Sequence, residues 1–119
     1  MDLRPILVAG VAALVAVGPA TAHHSSAMFD PSKQMTIVGT VKEWKFTAPH
    51  SWLMVDVAQP DGKVVMWALE GGGPSGKLRK DSFKPGDKVS VVTNPMRDGR
   101  PAGSLGQVTF ADGRKADGP

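Results

Sequence analysis

The 119-residue chain contains no cysteine and no tyrosine. Without cysteine there is no disulfide, no thiolate metal site, no thiol nucleophile and no lipoprotein-type anchor. Charge of one sign is also scarce. Fourteen Lys and Arg stand against eleven Asp and Glu, a net +3 at neutral pH spread along the chain. A dedicated nucleic-acid binder would cluster its basic residues on one element, so that class is excluded. Long apolar runs are missing as well. The longest, Ile6 to Val17, falls well short of the roughly 20 residues a membrane-spanning helix needs.

That run follows Arg4 and ends at Gly18-Pro19, and Ala20-Thr21-Ala22 places small residues where a signal peptidase reads them. Residues 1–22 are therefore expected to be a secretory signal peptide cleaved after Ala22. The mature chain would begin at His23, with no membrane span. A chain of that length without disulfides must hold together through one hydrophobic core, which about 100 residues can supply.

From Met35 onward the chain reads as short strands separated by strong turn signals. The runs are Met35–Phe46, Ser51–Ala58, Lys63–Glu70, Lys88–Thr93 and Ser104–Phe110. Leu53, Val55 and Val57 alternate with Trp52, Met54 and Asp56, the period of a half-buried strand. Gly39 interrupts the first run, as a bend or bulge would. Residues 75–83 have room for at most a short helix around Leu78. Five strands with one such element between the third and fourth predict an all-β fold, a small five-stranded OB-like barrel over residues 35–114. An open sandwich of five strands would leave thin sheets with unprotected edges. Residues 23–34 read as an extended arm and 115–119 as a frayed tail.

No catalytic constellation is visible, so no enzyme is expected. Ser25, Ser26 and Ser51 lie near histidines but not in a nucleophile elbow. Asp56 and Glu70 read as solvated strand polarity. The three histidines carry more information, because they fall at two places only: His23-His24 at the expected mature terminus and His50 in a loop. Cleavage after Ala22 would give His23 a free α-amine, whose pKa near 7.7 lets it yield its proton to a metal. Amine and Nδ1 of one residue form a chelate ring. A distant imidazole, His50, would complete the three-nitrogen histidine brace that suits Cu(II). His24 offers a rival chelate through amine, peptide nitrogen and imidazole. Zinc could also take three imidazoles, although structural zinc normally takes four ligands.

Met28 and Met54 are the thioethers nearest the histidines in sequence, without the clustering of a Cu(I) site; core or surface filling is the ordinary role of methionine. Trp44, Trp52 and Trp67 come from three successive strands, where aromatics can stack on sugars or single strands. Trp44 and Trp67 read instead as plugs of the barrel or its rim. Trp52, two residues after His50, is expected to be exposed beside the loop. A metal-free ligand-binding or protein-interaction module using the His50 and Trp52 loop is therefore the alternative to copper binding.

Ala22-His23-His24-Ser25, Phe29-Asp30-Pro31, Val38-Gly39-Thr40-Val41, Pro49-His50-Ser51-Trp52 and Lys84-Pro85-Gly86-Asp87 together resemble a family of small exported proteobacterial proteins catalogued as a domain of unknown function. The resemblance extends through Trp67, Glu70, Pro74, Asn94-Pro95 and Asp112-Gly113-Arg114. It implies a periplasmic location and a small β-rich fold, and brings no activity. It also places the two histidine sites in one pattern, which favours a shared role for His23, His24 and His50. The family loop usually opens with asparagine, where this chain has Ala48. The partners expected are thus a metal ion or small ligand, or a periplasmic protein.

Overall fold

The computed structural model describes residues 27–118, and the expected signal peptide with His23 and His24 lies outside them. Among the described residues seven strands form: β1 (Met35–Lys45), β2 (Ser51–Ala58), β3 (Val64–Gly71), β4 (Lys88–Thr93), β5 (Ala102–Ser104), β6 (Gln107–Phe110) and β7 (Lys115–Asp117). They make one sheet in the order β5-β3-β2-β1-β4-β6-β7. The all-β expectation holds, and β2 and β4 have the bounds that alternation predicts.

β1 is long because it pairs twice. Met35 to Thr40 runs antiparallel to β4, and Thr40 to Lys45 runs antiparallel to β2. The register shifts between Val41 and Glu43, so the bulge falls a few residues after Gly39. Gly39 has a different job. A Cβ there would collide with the Asp56 carbonyl oxygen and come within 2.8 Å of Val55 Cγ1. Only a residue without a side chain lets β1 cross β2 so closely.

Alternation then builds the core. Ile37, Val41, Leu53, Val55, Leu69, Val89, Val91 and Val108 all turn inward and are buried, with Trp44 and Trp67 packed at the margin. No helix forms over 75–83, within the limit of at most one short helix; the stretch folds as turns, interrupted by Gly76 and flanked by Pro74 and Pro85. It still contributes Leu78 and Phe83 to the core. Phe83 meets Trp44 edge-on at 4.9 Å and stacks near Phe110 at 5.7 Å. The Trp44 indole N–H donates to the Arg79 carbonyl at 3.0 Å, which ties the segment down.

The expected five-stranded closed barrel is corrected. The sheet has seven strands and is not closed into a barrel. β5 pairs parallel to β3, while the chain beyond β4 meets β5 at the isolated Pro95–Gly103 bridge. The ladder goes no further because the Asn94 N–H donates to Ser104 Oγ and the Ala102 N–H to the Arg100 carbonyl instead of across the pair. The expected fifth strand also breaks in two at Leu105-Gly106, whose N–H groups donate to Glu70 and Val92 on different strands. The tail is corrected too: Lys115–Asp117 is not frayed but pairs with β6.

The described part of the expected extended arm is not extended throughout: residues 31–32 form a turn, with the Lys33 N–H donating to the Asp30 carbonyl at 3.2 Å, and the arm is docked. Phe29 bridges Met96, Asp30 N–H donates to the Pro95 carbonyl at 2.9 Å, and Asn94 Nδ2 donates to the Lys33 carbonyl at 2.6 Å. Among the described residues no helix is long and apolar enough to cross a membrane.

Candidate functional site

The end of the sheet where β1 turns into β2 carries the only histidine among the described residues. The loop is built by short polar bonds. Thr47 Oγ1 donates to the His50 carbonyl at 2.6 Å. Ser51 Oγ accepts the Thr47 N–H at 3.2 Å and lies 3.3 Å from the Thr47 carbonyl, to which it donates. Ser51 is fully buried, and its N–H donates to the Gly72 carbonyl at 3.1 Å. The Ala48–Pro49 peptide within the loop is cis.

Gly71-Gly72-Gly73 runs directly behind this loop. A Cβ on Gly73 would lie 2.7 Å from the Pro49 carbonyl oxygen, and one on Gly71 would lie 3.0 Å from Leu105 Cδ2. Here the glycines serve close approach: they let the strap leaving β3 press against the loop from β1.

That approach brings His50 onto Glu70. The imidazole Nδ1 lies 3.3 Å from Glu70 Oε1, with the histidine side chain 44% exposed and the glutamate side chain only 6%. The second oxygen, Oε2, is buried and has no hydrogen-bond partner among the described residues. The Glu70 backbone is fixed as well, pairing with Trp52 on β2 and accepting the Leu105 N–H at 2.8 Å. The reading of Glu70 as solvated strand polarity is therefore corrected. Alternation gave its phase properly, on the face of Trp52 and Met54, but the folded-over loop covers it. The available signal was a glutamate closing an alternating run just before three glycines. Asp56, by contrast, is half-buried on that face with no such cover.

An ionisable group buried beside a half-exposed imidazole is costly, because a carboxylate loses its hydration and recovers only what its partners return. What the pair can do follows from ring chemistry. Nδ1 faces the carboxylate, and Nε2 is at the opposite edge of an accessible ring. Imidazoles that bind metals commonly hold their second nitrogen against a carboxylate in this way.

The remaining candidates are scattered. Trp52 sits half-buried opposite Glu70, and Met54 one step further along β2, opposite Ala68. Trp52 is thus less open than its place beside the loop suggests. Met28 is 39% exposed in the arm, its carbonyl accepting the Arg97 N–H at 2.9 Å. His23 and His24 lie outside the described residues, and among those described no three His, Cys, Asp or Glu side chains gather as a metal set.

Fold and site together define a small single-sheet β protein with a carboxylate-backed histidine at one end. The particular family follows from its sequence: a model described as a family of unknown function (DUF6152) matches residues 11–105, and the chain belongs to that family. No curated protein and no solved structure matches it.

Proposed function

We propose that this is an exported periplasmic protein, processed after Ala22, that binds a metal ion, with copper the metal its donors suit best. The donors are His50 through Nε2 and the new terminus through the His23 amine and imidazole, with His24 as the rival imidazole. Its role is binding or trafficking, with no reaction of its own. The observation that carries the reading is the buried Glu70 carboxylate 3.3 Å from His50 Nδ1, which leaves the other ring nitrogen for a ligand.

Geometry sets what the amino end must do. The arm docks beside Pro95 to Arg97, with Phe29 opposite Met96 and the Ala27 and Met28 carbonyls held by Arg97. This antiparallel register carries the arm, toward its amino end, away from the level of Ser104 and Glu70. His23 lies four residues before Ala27, chain enough to span up to about 14 Å, so the proposal requires that stretch to turn back toward the His50 ring.

The test is a Cu(II) titration of protein whose amino terminus mass spectrometry has confirmed as His23. Binding should be micromolar or tighter, and His50→Ala should weaken it by about tenfold or more, equivalent to at least ~1.4 kcal/mol. Blocking the terminal amine should weaken it similarly. Binding indifferent to His50 would leave a terminal chelate alone. No binding would favour the metal-free interaction module built on the His50 and Trp52 loop.

A further inference from the structure

We infer that Glu70 is the positioning residue of this site: it holds the neutral His50 ring as the Nδ1–H tautomer and thereby leaves the Nε2 lone pair outward. The metal consequence rests on the function proposed above, whereas the tautomer itself does not.

Free imidazole side chains in water favour the opposite tautomer, with the proton on Nε2. His50 is 44% exposed, so without a partner its ring would follow that preference. Glu70 Oε1 reverses it, because a carboxylate oxygen 3.3 Å from Nδ1 favours a proton on that nitrogen over a bare lone pair facing it. Both backbones are pinned. Thr47 Oγ1 holds the His50 carbonyl, and the Glu70 carbonyl accepts the Leu105 N–H. The backbones that carry the ring and the carboxylate are thus held at fixed positions.

Burial makes the assignment more than a surface ion pair. Glu70 is 9% exposed overall, and its Oε2 is out of contact with any donor among the described residues. An apolar side chain in this place would avoid that desolvation penalty altogether. A carboxylate kept here with one oxygen unpaired fits a demand set by its other oxygen, namely the state of the His50 ring.

The measurement is a long-range proton–nitrogen NMR correlation on the neutral ring of metal-free, nitrogen-15-labelled protein. The wild type should show His50 protonated at Nδ1. Glu70→Leu, which fills the buried space with an apolar group, should return the ring to Nε2–H while the amide spectrum remains dispersed. A wild-type ring that is Nε2–H overturns the inference, and this readout needs no variant to fold. So does a Glu70→Leu ring unchanged from wild type.

Copper titration supplies the second arm. Glu70→Leu should weaken binding by about 10- to 100-fold, the range for outer partners of a ligating histidine. It should add little to His50→Ala in the double variant, as expected of residues acting through one contact. An Nδ1–H ring in protein that binds no copper supports the positioning role and rejects the proposed function. An affinity unmoved by Glu70→Leu, with copper still bound through His50, overturns the metal consequence.

Discussion

Two kinds of polar arrangement occur in this molecule, and they are resolved in opposite ways. The turns Asp98-Gly99-Arg100 and Asp112-Gly113-Arg114 are copies of one design. In each, the aspartate Oδ1 accepts the N–H of the arginine at 3.0 Å, and Oδ2 accepts its Nε–H at 2.7 Å. Both lie in water, and both oxygens of each aspartate find their partners two residues away. The Thr47–Ser51 loop and its glycine strap do the reverse. They bury Glu70, give one oxygen an imidazole from a residue twenty positions away, and leave the other alone. The turns show how the chain closes polar groups upon each other when only architecture is at stake. The loop departs from that habit, and the departure marks the site.

The glycines divide along the same line. Gly62, Gly86, Gly99 and Gly113 have φ between +82° and +94°, and a Cβ on any of them would meet nothing within 4 Å. They are present for backbone conformation. Gly39 and Gly73 have ordinary conformations but no room for a side chain.

Substitutions can break or sharpen this contrast. The largest effect belongs to the core beneath the loop. Leu53 is fully buried two residues after Ser51, and Leu53→Ala should cost about 2–5 kcal/mol in denaturant unfolding. Gly73→Ala comes next, at roughly 1–3 kcal/mol, because its Cβ must push the Pro49 carbonyl away. This change should also shift the His50 ring signals, since the strap and the loop move together. Gly113→Ala should cost about 1–2 kcal/mol through its positive φ alone, and should leave those signals in place. Equal response of the His50 ring to both glycine changes would erase the distinction.

The smallest effect is electrostatic. The Asp112 carboxyl is held below its usual range, first by its side-chain hydrogen bond with Arg114, and Asp98 is held low first by the Arg100 backbone N–H. A carboxyl depressed by folding adds stability above its unfolded pKa, and loses it as pH falls through the folded value. Asp112→Asn should therefore lower the thermal midpoint slightly near neutrality, and the difference from wild type should vanish in acid. Both groups are exposed, so the effect is small.

Much of this architecture was legible in the residues. Strict alternation located Leu53 and Val55 inside, and Pro-Asp-Gly, Pro-Gly-Asp and Asp-Gly signals located the turns. These features depend on period and local backbone, which a linear sequence records directly. The closing of the sheet was not legible. It depends on whether the chain beyond β4 can continue pairing with β5, and the diversion of the Asn94 and Ala102 N–H groups and the kink at Leu105-Gly106 decide that only in three dimensions. β7 was missed for a similar reason: Lys115 to Asp117 is too polar to look like a strand until β6 offers it an edge. At the site, His50 stood out by its rarity. Glu70 did not, because a glutamate on the outer phase of a strand is ordinarily solvated, and nothing local indicates that a loop will fold over it.

The central claim is that His50, backed by Glu70, joins the processed amino terminus on one metal ion. Electron paramagnetic resonance of the Cu(II)-loaded protein starting at His23 tests it most directly, since nitrogen hyperfine structure reports the donors on the copper. A nitrogen-rich spectrum is expected, losing an imidazole contribution in His50→Ala. Identical spectra for the two proteins would contradict it.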